Sequence, residues 1–166
     1  PPLISMGIGR AAIFMAKAEL FQSRFSSYVV SRFGAFPVLR GRLDREALRQ
    51  AERVLAKGLA LVMFPESKRS KNAQLQSAFP GSVMIALRSD APILPVGITG
   101  SERIKGAGWL LRRPKITVNI GSAFHLPQVN GKQTKTELVG LTNLMMGRIA
   151  ELLPVEYQGD YASKRD

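Results

Sequence analysis

The apolar run "LALVMF", residues 59–64, stops at Pro65 and turns at once into "ESKRS". A run of that length suits a strand buried on both faces, and Pro65 has no amide hydrogen with which to continue a central ladder. Glu66 therefore falls where a strand emerges from its sheet. Open α/β sheets bind ligands beyond the carboxyl ends of their strands, so residues 66–70 are the first place to look for chemistry.

The rest of the chain alternates apolar runs with amphipathic segments. "AAIFMAK" reads as a strand ending at Lys17 and "AFPVL" as a strand leading into Arg40, with "FSSYVVSRF" between them as a helix or the approach to the second strand. Asp44 is placed to cap a helix running to about residue 57. Ala47, Leu48, Ala51, Val54 and Leu55 share one face of it, and Gly58 follows as the stop. A helix near 80–88 takes proline in its first turn, and "PILPVGI" and "KITVNI" read as strands. In the last helix, over about 135–153, Thr134 and Glu137 have capping-box spacing and Leu138, Leu141, Met145 and Leu152 form an apolar stripe. The alternation predicts an α/β fold, a mostly parallel or mixed central sheet with helices on both faces in three layers.

With 166 residues, 45% of them hydrophobic and 22% charged, the chain suits one globular domain over 1–166 rather than disorder. It has no cysteine and a single histidine, His125, which argues against disulfides, thiolate metal sites and multi-histidine metal clusters. No metal and no bound cofactor is expected. The 24 Lys and Arg against 12 Asp and Glu give a formal charge of +12, which implies an anionic partner: nucleic acid, an anionic membrane surface or a phosphorylated substrate. No uninterrupted apolar segment approaches the roughly 20 residues of a spanning helix.

If the sheet is mostly parallel, three strand ends present charge together: Lys17, Arg40, and Glu66 with Lys68, Arg69 and Ser70. A phosphate suits such a place. Arg grips phosphate oxygens bidentately, Lys adds a point charge, and a helix beginning soon after Arg40 contributes amide donors. The competing reading is a set of solvated loop charges.

"GAFPVLRG" followed by a helix, then "FPESKRS", then "APILPVGITG", in this order and spacing, resembles the glycerophospholipid acyltransferase family, of the 1-acylglycerol-3-phosphate acyltransferase type. The likeness runs from "AIFMAKAELF" through "GSAFHLP" to "LLPVEYQGDYA". It implies transfer of a fatty acyl group from a thioester donor, acyl-CoA or acyl carrier protein, to a free hydroxyl of a lysophospholipid acceptor. Arg40 corresponds to the arginine of the family's second block. Glu66, Arg69 and Ser70 correspond to its FPEGTRS block, and both blocks are linked to the acceptor's glycerol phosphate. Lys17 and Lys68 join these as expected substrate-binding residues. Pro95 lies in the fourth block and reads as mostly structural.

The chain departs from the family pattern in three places. Ser67-Lys68 stands where the family usually has Gly-Thr, so the loop loses a glycine's freedom at positive φ and gains a cation. Leu39 stands where many members have an aspartate. The family's catalytic Asn-His-x-x-x-x-Asp block, in which histidine acts as general base and aspartate orients it, is expected upstream of Pro1, because "PPLIS" looks like the stretch that follows that block. Losing a general base costs about 10²–10⁴ in rate, so residues 1–166 alone are expected to be inactive. His125 lacks an aspartate four or five residues on and is expected to be a surface or core-edge histidine. None of Ser67, Ser70, Ser77 and Ser82 lies in a Gly-x-Ser-x-Gly elbow.

The stretch 101–115 combines Trp109, Leu110 and Leu111 with Arg103, Lys105, Arg112, Arg113 and Lys115. Trp109, Leu110 and Leu111, with Arg112 and Arg113, suit contact with an anionic membrane surface. Alternatively the apolar residues fold back into the core. The resemblance implies a peripheral protein on the cytoplasmic face of a membrane. A non-catalytic basic domain binding anionic lipid or nucleic acid is the other class of function, but nucleic acid is disfavoured because the aromatics lie within apolar runs rather than between bases.

Overall fold

The computed structural model describes residues 12–22, 28, 34–38, 44–68, 70, 72–104, 114–128, 131 and 133–162, of which Lys17 and Leu20 are described in backbone alone. Two compact units emerge. Pro1–Ser67 with Phe79–Ala91 forms the first, and Lys68–Ala78 with Pro92–Asp166 the second. The expectation for "FSSYVVSRF" falls almost wholly outside the described residues.

In the first unit, β1 (Ala12–Lys17), β2 (Ala35–Val38) and β3 (Ala60–Val62) form a parallel sheet in the order β2-β1-β3. Phe14 pairs with Ala35 on one side and Val62 on the other, and Lys17 pairs with Val38. Phe14, on the central strand, is buried. The run 59–64, expected to be a strand buried on both faces, pairs over Ala60–Val62 alone, and all three residues are half-buried. The cause is position: among the described residues β3 lies at the edge of the sheet, and Pro65 cannot extend its ladder.

Helix α1 (Arg45–Ala56) crosses from β2 to β3. Asp44 caps it, accepting from the Ala47 amide at 3.1 Å, and Gly58 follows its end at φ +71°, a left-handed conformation that suits glycine. Leu48 and Ala51 of α1 and Ile85 of α2 (Gly81–Ser89) make a buried cluster, against which Met15, Phe36, Leu55, Leu61, Met63 and Met84 pack. Pro80 occupies the N-cap of α2, one residue ahead of the first turn expected for it. Its carbonyl accepts from the Met84 amide at 2.9 Å.

In the second unit, β4 (Val96–Thr99) pairs antiparallel with β5 (Thr117–Ile120), so among the described residues these strands form a sheet of their own. The run "PILPVGI" was expected to be one strand. Pro92 and Pro95 lack ladder donors, and the pairing is confined to an isolated bridge from Ile93 to Phe124 and to β4 itself. Helix α3 (Lys135–Ala150) starts at a complete capping box between Thr134 and Glu137 and buries Leu141, Met145, Met146 and Ala150. The hydrogen bonds from Thr134 hold the Glu137 carboxyl below its ordinary pKa. Their contribution is present above the unfolded carboxyl pKa and is lost as pH falls through the folded one.

Helix α3 ends at Ala150, earlier than expected, and the chain tightens through bonds from the Leu152 amide to Ile149 and from the Leu153 amide to Ala150. Leu152 thus leaves the helical stripe and packs beside Gly121, while Leu153 packs against Gly97 of β4, where any side chain would collide with it. A short helix, α4 (Val155–Gln158), follows Pro154. Among the described residues no helix is long and apolar enough to cross a membrane.

Candidate functional site

The parallel pairing brings the carboxyl ends of β1, β2 and β3 to one edge of the first unit's sheet. β1 ends on Lys17, β2 ends two residues before Arg40, and β3 ends four residues before Glu66. The order β2-β1-β3 reverses direction at β1, because the chain steps to one side for β2 and returns to the other for β3. Such a switch point opens a crevice between the loops that leave neighbouring strands in opposite directions, which is where open α/β sheets hold their ligands. Lys17 ends β1 and the loop carrying Glu66 follows β3, the two neighbouring strands at that switch point.

The loop after β3 is a tight turn. The Ser67 amide donates to the Phe64 carbonyl at 3.0 Å, and the Phe79 amide donates to the Pro65 carbonyl at 3.0 Å where the chain re-enters the first unit. Glu66 is half-buried in this turn. Ser67, at φ +57°, is left-handed. The sequence had suggested that losing glycine here removes access to positive φ, yet the backbone keeps that conformation with a serine in it. The strain costs roughly 1–2 kcal/mol for an L-residue. Ser67→Gly is therefore expected to raise stability by about 1 kcal/mol once the greater freedom of glycine in the unfolded chain is subtracted. A urea midpoint that fell on substitution would show that the serine side chain earns its place through contacts.

Lys68 and Ser70 follow in the second unit, Lys68 exposed and Ser70 half-buried. The Ser70 hydroxyl donates to Asn72 Oδ1 at 2.8 Å and accepts from Gln76 Nε2 at 3.3 Å. Asn72 Nδ2 donates to Gln74 Oε1 at 2.8 Å, and Asn72 Oδ1 accepts from the Gln74 amide at 3.3 Å. Farther on, the Leu75 amide donates to the Tyr157 carbonyl at 2.8 Å, and Gly159, at φ +56°, lies so close to the Leu75 carbonyl oxygen that no Cβ fits between them. The Tyr157 hydroxyl donates to Glu102 Oε1 at 2.9 Å, and this bond raises the phenol pKa. The bond's contribution is present below the unfolded phenol pKa and is lost as pH rises through the folded one. Sequence reasoning assigned no role to Asn72, Gln76, Tyr157 or Gly159, although "EYQGDY" stood out in the tail.

Of the other expected residues, Arg40, Arg69, Trp109, Leu110, Leu111, Arg112 and Arg113 lie outside the described residues. His125 is exposed, just after the Phe124 bridge. Pro95 is buried, and its carbonyl accepts from the Gly121 amide at 3.0 Å, a structural placement. Among the described residues no group of three or more potential ligands is arranged to hold a metal ion.

A family profile described as Acyltransferase matches residues 2–99. The chain belongs to the acyltransferase family. A 1-acyl-sn-glycerol-3-phosphate acyltransferase of Streptococcus pneumoniae is 32% identical over 118 residues, 70% of this chain and 42% of that protein. The enzyme of the same name from Bacillus subtilis is 28% identical over 154 residues, 90% of this chain and 74% of that protein. The chain thus spans less than half of the first relative's length. The crystal structure of a 1-acyl-sn-glycerophosphate acyltransferase from Thermotoga maritima superposes with a TM-score of 0.59 at 24% identity, covering 86% of this chain and 56% of that one. This likeness establishes the acyltransferase fold, a mixed α/β architecture that includes the parallel sheet described above.

Proposed function

We propose that this acyltransferase-family chain takes part in moving a fatty acyl group from a thioester donor, acyl-CoA or acyl carrier protein, to the free hydroxyl of lysophosphatidic acid, giving phosphatidic acid. The observation that carries the reading is the parallel order β2-β1-β3, which sets Lys17 and the Glu66 loop on neighbouring strands at a switch point. Arg40 and Arg69 grip the acceptor phosphate, Lys17 and Lys68 add charge, and Glu66 and Ser70 help to order the loop around it. The relatives' names support this acceptor. The acceptor is a membrane lipid, which supports peripheral work at a membrane surface, proposed here as the cytoplasmic face, with Trp109, Leu110, Leu111, Arg112 and Arg113 meeting the anionic lipids.

A salt titration separates this reading from general attraction to polyanions. Duplex DNA held by charge alone loses affinity steeply as salt rises, because condensed counterions are released on binding. Lysophosphatidic acid held by oriented arginines and an apolar contact is expected to retain measurable binding at salt concentrations that abolish DNA binding. DNA binding that outlasted lysophosphatidic acid binding would reject the proposed function.

A further inference from the structure

The first unit carries a basic cleft built from residues that the family resemblance does not assign. A cleft of about 360 Å³ is lined by Arg45, Leu48 and Arg49 of α1 and by Arg88 of α2. Arg45, Leu48 and Arg49 share one helix face through their spacing of three and four residues. Leu48 is buried and gives the cleft an apolar wall, while all three arginines are exposed.

The bases differ in how they are held. Arg88 Nε lies 2.6 Å from Glu52 Oε1, an ion pair without the alignment of a hydrogen bond, since Glu52 Oε1 has no hydrogen-bond partner among the described residues. Arg49 Nη1 is 3.6 Å from Glu46 Oε2, with both side chains more than half exposed. A contact of that kind is worth little and yields readily to a better anion. Arg45 has no ion-pair partner among the described residues.

The geometry points to a phosphate-ester site between α1 and α2, in which Arg45, Arg49 and Arg88 bind the phosphate oxygens and Leu48 meets the carbon-bearing side of the ligand. Planar guanidinium groups match phosphate oxygens through paired N–H bonds, a recognition that a lone lysine cannot reproduce. The volume exceeds that of a bare phosphate and lies at the lower end of small-ligand pockets. The ligand chemistry is thus a phosphate ester, carried either by a nucleotide or by a lipid headgroup. The inference does not rest on the acyl-transfer reading.

Three probes are titrated calorimetrically into the chain at fixed ionic strength: inorganic phosphate, adenosine bisphosphate, and vesicles of phosphatidylglycerol in phosphatidylcholine. The same titrations are made on Arg45→Gln with Arg49→Gln, which leaves the Arg88–Glu52 pair intact, and on a charge-matched control, Lys57→Gln with Lys135→Gln, at exposed lysines outside the cleft lining. At least one probe is expected to bind saturably and to weaken about tenfold or more in the arginine variant, since hydrogen bonds to charged groups are individually strong. The control is expected to bind as the unchanged chain does. Loss confined to adenosine bisphosphate names a nucleotide as the source, and loss confined to the vesicles names a lipid headgroup. Absence of saturable binding by every probe, or equal weakening in the control, would overturn the site.

Discussion

Gly100→Ala is expected to destabilise the chain by about 3 kcal/mol or more, among the larger effects of a single substitution. Gly100 follows β4, is buried, and sits at φ +80°, where an L-residue costs roughly 1–2 kcal/mol. The position of a Cβ there overlaps the carbonyl oxygen of Lys115, which is backbone and has no rotamer through which to withdraw. Lys115 leads into β5, so relief of the overlap shifts the strand that pairs with β4. Gly131 supplies the control: its φ is +85° and a Cβ would meet nothing within 4 Å. Gly131→Ala is therefore expected to lose only the backbone term. Urea unfolding of both variants checks the argument, and equal losses would show that the overlap does not matter.

Arg40→Ala combined with Arg69→Ala is expected to weaken lysophosphatidic acid binding about a hundredfold or more. A charge-assisted hydrogen bond contributes about 1.5–3 kcal/mol, and about 1.4 kcal/mol is a factor of ten in affinity. On the proposed function both arginines hold one phosphate, and removing them would then lose at least about 3 kcal/mol. Lys68→Ala, which removes an exposed point charge without directional pairing, is expected to lose much less. Isothermal titration of the three chains orders them.

Local signals in the sequence were the ones that could be read. The Asp44 cap, the Thr134 and Glu137 capping box and the interruption at Pro65 each involve neighbours within a turn, so residue type and spacing specify them. The partner of β4 was not legible. Its alternation does not say whether it joins the parallel sheet or pairs with β5, because that choice depends on contacts distant in sequence. Prolines shortened it in a way their missing donors explain. Near the candidate site, the end of β1 at Lys17 and the exit of the chain from β3 before Glu66 were legible, since an abrupt Pro-Glu after an apolar run marks an exit from a sheet. The left-handed Ser67 was half legible: the departure from glycine was visible, but the persistence of positive φ was not. The hold of Tyr157 and Gly159 on Leu75 left no local pattern, because its two sides come from opposite ends of the second unit's sequence.

The central claim is that Arg40 and Arg69 act on a single lysolipid phosphate, and a double-mutant cycle on lysophosphatidic acid affinity measures it most directly. Residues sharing one ligand group are coupled, and the account predicts a coupling of about 0.5–3 kcal/mol between the two arginines. Two single substitutions whose effects simply add in the double variant, within about 0.5 kcal/mol, would place the arginines on separate sites and contradict the account.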